Sequence, residues 1–285
     1  MNIAACLLAL TLAAEPAKNP FLFNEGDRVV FLGSTLIERE QKYGYWELAL
    51  TLLNKDKNVT FRNLGWSGDT VWCESRGSFD GPKAGFTRTM ALVKELKPTV
   101  IVLCYGQVES FDGPDGVKKF TEGYEKLIDG LAPTKARIVL TLPTPFEQMT
   151  SMQDVPGKNK TLAKYIDAIV AIAATRKLET YDLFNNFGFL QRPQTENGIH
   201  LNEFGYMMTS GLHEMKYKSV DTEPLRQAII AKNVLFFNRW RPQNQTYLFG
   251  FRKKEQGQNG KEIAEFDPLI EKAEKDIADL RIKLK

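Results

Sequence analysis

The chain has 285 residues, 43% of them hydrophobic and 26% charged, with a net charge of +3. That balance belongs to a soluble globular protein long enough for one α/β domain and an appendage, or for two small domains. So small a charge, with no basic stripe interleaved with aromatics, gives no ground for a nucleic-acid partner.

The run 4–14, from Ala4 to Ala14, is apolar but too short to cross a membrane. Small residues end it, and Glu15-Pro16-Ala17-Lys18 follow. It reads as a secretory signal peptide over 1–17, cleaved between Ala13 and Ala17, although its first residues carry no Lys or Arg. The plainer alternative is a buried first strand or helix. Cleavage would remove Cys6 and export the rest to the periplasm or the extracellular space. No later stretch is long and apolar enough for a transmembrane helix. Cys73 and Cys104 remain, as a disulfide in an oxidising compartment or as two buried thiols. With His200 and His213 the only histidines and no ligand spacing, neither a metal site nor a cofactor is expected.

The first strand is predicted over 28–32. Its sequence Val29-Val30-Phe31-Leu32 stops at Gly33, and Ser34-Thr35 then lead into a helix over 38–53. A strand that halts at glycine and turns sharply into a helix lifts a side chain off the sheet, which is how a nucleophile is displayed. Further strands are predicted over 59–63, 99–104, 137–141 and 179–182. Helices are predicted over 86–96, 116–131 and 158–176, and one opening near Asn202. Lys97-Pro98 stops the helix before the third strand. Alternating strands and helices mean a parallel sheet covered on both faces, with ligands at the strand C-terminal ends.

From Thr222 onward the character changes. Thr222-Glu223-Pro224 is a helix start carrying Leu225, Ile229, Ile230, Val234 and Phe237. An aromatic stretch, 240–251, and a polar one, 253–261, lead to a last helix with Asp267 as N-cap and Pro268 at its first position. Its seam of Ile270, Ala273, Ile277, Leu280 and Leu284 either packs back on the body or pairs with a partner or a second chain through 268–284.

Four loops resemble, in order, the blocks of the SGNH hydrolases, the GDSL esterase/lipase family. Leu32-Gly33-Ser34-Thr35 stands where that family has Gly-Asp-Ser. Asn63-Leu64-Gly65-Trp66-Ser67-Gly68-Asp69-Thr70 fits the second block, Gly106-Gln107-Val108-Glu109 stands at the third, and Gly198-Ile199-His200-Leu201 fits the last. The resemblance covers about Arg28 to Leu212 and implies a flavodoxin-like three-layer α/β sandwich with a five-stranded parallel sheet over 26–218; the helical C-terminal extension read over 219–285 lies outside the family's usual domain. It also implies Thr35 as nucleophile, with Ser34 before it as a less favoured choice. Gly68 takes the oxyanion amide position, His200 the base position and Asn197 the position of the orienting acid.

The departures fall on the chemistry. Thr35 replaces serine, Val108 replaces the asparagine that donates to the oxyanion, and Asn197 replaces aspartate. Losing one oxyanion donor costs about a hundred- to a thousandfold in turnover, and Asp→Asn in a serine triad about ten thousandfold. Valine donates no hydrogen bond. Asn197 is expected to accept from His200 through its amide oxygen, with Glu196 or Glu109 as sources of the missing charge. Trp66 and Trp72 are expected to line a cleft. Two functions follow. One is an exported hydrolase of small acyl or acetyl esters, carbohydrate esters among them. The other is a lapsed member of the fold that binds carbohydrate or serves as a scaffold.

Overall fold

The computed structural model describes residues 19–77, 80–188, 190–255 and 257–284. The run read as a signal peptide lies outside them. Five strands form one sheet: β1 Arg28–Gly33, β2 Thr60–Asn63, β3 Val100–Cys104, β4 Arg137–Leu142 and β5 Glu179–Asp182. Their order is β2-β1-β3-β4-β5, and every neighbouring pair is parallel. The chain leaves β1 to one side for β2 and returns on the other for β3, so the topological switch point lies between β1 and β3.

Both faces of this sheet are covered, which is why its central strands β1, β3 and β4 are near-continuous apolar runs, while the edge strands β2 and β5 are not. Val30, Leu32, Ile101, Leu103, Ile138 and Leu140 belong to one core. It takes in residues of α3 (Pro82–Leu96), α4 (Val117–Leu131) and α5 (Val155–Arg176). Val29, Phe31, Val102 and Val139 face the other way, into a core with Phe21, Phe23 and Tyr206. Cys73 lies in the first core and Cys104 in the second, and both thiols are free.

The helix expected over 38–53 begins earlier and is two helices, α1 (Thr35–Tyr43) and α2 (Tyr45–Leu53). Gly44 between them has φ +69° and donates its N–H to the Glu40 carbonyl at 2.7 Å, a left-handed stop that glycine adopts without strain. The free N–H groups opening α2 are taken by the Glu40 carboxyl, at 2.7 Å from Trp46 and 3.2 Å from Glu47. Burial pushes that carboxyl well above the ordinary carboxylate range.

After α6 (Glu203–Thr209) the chain forms α7 (Ser219–Trp240), a single turn α8 (Gln245–Leu248) and α9 (Phe266–Lys283). α7 starts at Ser219 rather than Thr222 and so carries Pro224 inside it. Asp267 is not the N-cap of α9; it sits in the first turn and pairs with Arg239 at 2.8 Å. The α9 seam packs back: Ile277 is buried with Leu48 and Leu52 of α2 and Leu225 and Ile229 of α7. α7 is also tied to α2 by a buried ion pair and to β2 by a hydrogen bond. Lys232, fully buried, has its Nζ 2.7 Å from Glu47 Oε1, 2.8 Å from Asn233 Oδ1 and 3.1 Å from the Phe61 carbonyl. Breaking such a pair by removing one partner costs about 3–5 kcal/mol.

Candidate active site

β1 ends at Gly33, Ser34 is the N-cap residue of α1, and Thr35 opens the helix. Ser34 is 7% exposed and its Oγ has no hydrogen-bond partner among the described residues. Thr35 is partly exposed, and its Oγ1 accepts the Gly68 N–H at 2.9 Å. The loop that brings Gly68 there lies flat on the first turn of α1. A Cβ on Gly65 would sit 2.1 Å from the Glu38 nitrogen, so only glycine fits. Asn63 ties the start of the loop to α1, accepting from Gly65 N at 2.8 Å and donating to the Ile37 carbonyl at 2.7 Å.

From inside, Arg76 holds the same loop through Asp69, at 2.5 Å, and through the Leu64 carbonyl, at 2.7 Å. Burial raises Asp69 above its ordinary range and the Arg76 charge opposes the rise. From outside, the Arg241 guanidinium lies 3.4 Å from the Trp66 ring centroid. It also pairs with Glu38 at 2.7 Å, and Glu38 in turn accepts the Ser67 hydroxyl. The C-terminal end of α7 is therefore part of the site's rim.

In the third loop, Glu109 is buried and accepts from Val71 N at 2.9 Å and Gly106 N at 2.8 Å. Burial pushes its carboxyl up to about 7, against those hydrogen bonds. It ties the oxyanion loop to the end of β3 and is not a charge for His200. Gln107 is pinned to the Thr144 carbonyl at 2.9 Å. Val108, partly exposed beside it, presents an isopropyl group.

The fourth loop corrects an expectation. Asn197 Oδ1 does not accept from the His200 ring. It accepts two backbone N–H groups, of His200 at 2.9 Å and Ile199 at 3.1 Å. Those bonds fix the amide orientation and leave Nδ2, a donor, 3.4 Å from His200 Nδ1. An amide nitrogen cannot accept, so Nδ1 must be the acceptor and the proton of the neutral ring resides on Nε2. That is the opposite tautomer to the one a triad base needs. Burial lowers the His200 pKa, Arg39 lowers it further and Glu196 opposes them, so the ring is neutral at neutral pH. Glu196 is engaged elsewhere, 2.6 Å from Arg39 and 3.3 Å from the Tyr43 hydroxyl.

The structure thus joins Thr35 to Gly68, and Asn197 to His200. No hydrogen bond links the two pairs among the described residues. They share α1 as a mount: Thr35 opens it, Arg39 one turn on reaches Glu196, and Tyr206 donates to the Leu36 carbonyl at 2.7 Å. Arg241 covers one face of Trp66, and Lys119 stands 4.4 Å above the ring of Trp72, which lines a cavity with Phe86 and Lys126. Sequence reasoning missed Arg39, Arg76 and Arg241. A lone arginine near a loop carries no motif, and Arg241 reaches the loop only through the path of α7. No group of acidic, histidine or cysteine side chains suited to a metal occurs among the described residues.

The sheet order, with the Thr35 and Gly106 loops at the switch point between β1 and β3, defines an α/β fold of the doubly wound type. The model of the GDSL-like Lipase/Acylhydrolase family matches residues 32–208, and the chain belongs to that family. Among solved structures, it is similar to a catalytic mutant of Axe2, an acetylxylan esterase from Geobacillus stearothermophilus. That match has 16% identity and a TM-score of 0.52, over 69% of this chain and 97% of the other. It is also similar to LAE5, an alpha/beta hydrolase enzyme from the metagenome of Lake Arreo, Spain (18%, 0.50, 67% and 94%). A third is BT4096, a gut microbial diltiazem-metabolizing enzyme (21%, 0.49, 67% and 47%), of which this chain spans about half. At these identities the likeness is one of fold. No curated protein matches the chain. No helix among the described residues is long and apolar enough to cross a membrane.

Proposed function

We propose that the protein is an exported hydrolase of small acyl or acetyl esters, those on carbohydrate included, working with a threonine nucleophile and a reduced oxyanion hole. The observation that carries this reading is the 2.9 Å hydrogen bond from Gly68 N–H to Thr35 Oγ1. It brings a reactive hydroxyl and a backbone donor together on the exposed side of the elbow. Thr35 Oγ1 attacks the ester carbonyl carbon, its proton passes to His200 Nε2, and Gly68 N–H holds the developing oxyanion. The alcohol leaves with that proton, and water then hydrolyses the acyl-threonine. His200 acts as base only in the tautomer with the proton on Nδ1, and Asn197 as it stands opposes that form.

That same contact favours a second reading, a fold that has kept its cleft and lost the chemistry. Hydrolysis of 4-nitrophenyl acetate by the purified protein, by Thr35→Ala and by His200→Ala separates the two. Turnover abolished by both substitutions supports the hydrolase. An inactive parent supports the lapsed form. Export is supported by the apolar run 4–14 and its small-residue end. N-terminal sequencing of secreted protein tests it, with a mature start between 14 and 18 as the expected result.

A further inference from the structure

Asn197 is followed by Gly198, and the atoms around this pair are arranged for a reaction of the backbone on the side chain. The Gly198 N–H donates to Thr195 Oγ1 at 3.0 Å, and that hydroxyl donates to Glu147 Oε2 at 2.5 Å. This is a continuous proton path from a peptide nitrogen to a buried carboxylate. The Asn197 side-chain carbonyl is meanwhile polarised by the two backbone N–H groups of Ile199 and His200. They are aimed where negative charge would appear on Oδ1 if the amide carbon were attacked, which is the design of an oxyanion hole. The amide nitrogen that would leave is the atom facing His200 Nδ1. Glycine at the second position leaves the nitrogen without a side chain to shield it.

We propose that Asn197 is a self-modification site, converted by its own loop to aspartate, and that the conversion supplies the acid that the histidine lacks. Gly198 N attacks Asn197 Cγ and forms the new C–N bond of a succinimide. Its proton moves through Thr195 Oγ1 to Glu147. The Cγ–Nδ2 bond breaks, and Nδ2 departs as ammonia with a proton taken from solvent water, while Glu147 keeps the relayed proton until it returns through Thr195 Oγ1 to Gly198 N as the ring opens. Water then adds at Cγ, the Cγ–N bond to Gly198 opens, and the ordinary peptide is restored beside a carboxylate. The net change is water in and ammonia out, with no oxidant or reductant. One oxygen of the new carboxylate can keep the Ile199 and His200 N–H bonds. The other takes the place of Nδ2 and accepts from Nδ1–H, which moves the neutral ring to the base-competent tautomer.

The consequence for catalysis rests on the hydrolase reading; the modification itself does not. The purified protein is incubated at pH 8 and 37 °C and sampled over days. Peptide mass spectrometry across 194–201 follows the mass gain of amide to acid, separating aspartate from isoaspartate. A free peptide of the same sequence serves as reference, and aryl acetate turnover is read on each sample. Conversion to aspartate faster than in the free peptide is expected, together with at least tenfold slowing by Thr195→Val, which keeps the shape and removes the relay. Conversion no faster than in the peptide, or mainly to isoaspartate, or unaffected by Thr195→Val in a variant that melts as the parent does, overturns the proposal. If conversion runs as expected while turnover stays absent, the modification stands and the hydrolase reading falls.

Discussion

The oxyanion loop and the histidine loop rest on the same helix, α1, and have been built to different ends. The first is held from three sides, by Asn63 beneath it, by Arg76 and Asp69 inside and by Arg241 across Trp66 outside. All of that framing delivers one amide, Gly68 N–H, to one hydroxyl. The second loop is just as ordered, with Glu147 accepting from Gln194 N, Thr195 N and Thr195 Oγ1. Its order, however, holds the imidazole in the unproductive tautomer. Rigidity is therefore no index of reactivity here: both loops are preorganised, and a single amide group in place of a carboxylate decides what the second is preorganised for.

Changing that group should break the contrast most strongly. Asn197→Asp is expected to raise turnover of aryl acetates by up to about ten thousandfold, the size of the loss when a triad aspartate becomes asparagine. No gain in steady-state rate would mean that the two loops do not act on one substrate. In that background, Val108→Asn should add a further factor of about a hundred to a thousand by restoring an oxyanion donor beside Gly68. It should act on kcat more than on KM, and an equal effect on both would mark simple binding.

Stability against pH sharpens the comparison from the oxyanion side. The buried Glu109 carboxyl titrates near 7 in the folded protein against an ordinary value of 4.5. A carboxyl raised on folding contributes stability that is complete below about pH 4.5 and is lost as pH rises through 7. The loss is about 3 kcal/mol. Thermal melting of Glu109→Gln between pH 4.5 and 7.5 should show a flatter profile than the parent, and an unchanged slope would assign the titration elsewhere. The smallest effect concerns His200. Arg39→Gln removes a cation that lowers its pKa and frees Glu196, which raises it. Both push the titration upward, which NMR of the ring protons would register, while burial, the largest cause, keeps it below the free value.

Strand pattern and loop order were enough to read the sheet, because buried parallel strands leave unbroken apolar runs and the blocks fall in a fixed sequence at their ends. The elbow after Leu32 and the Gly-rich second loop were legible for the same reason. What stayed hidden was orientation. That Asn197 stands where an acid is usual could be read from the sequence. Which of its two amide atoms faces the ring could not, since backbone bonds from Ile199 and His200 decide it. The break at Gly44 was hidden because 38–53 keeps helical spacing across a left-handed residue. Arg241 was hidden because a salt bridge to Glu38 depends on where α7 ends.

The buried Lys232–Glu47 contact has a consequence for how the protein is made. These residues are 185 positions apart, and loop closure over such a span comes late in folding. While the chain is being synthesised, α2 waits with a carboxylate and an apolar flank uncovered until α7 emerges. The nascent protein is therefore open to aggregation or to chaperone capture through most of translation. A ribosome stalled before codon 232 should display an α2 that is digested readily by protease, and release of the last 50-odd residues should close it.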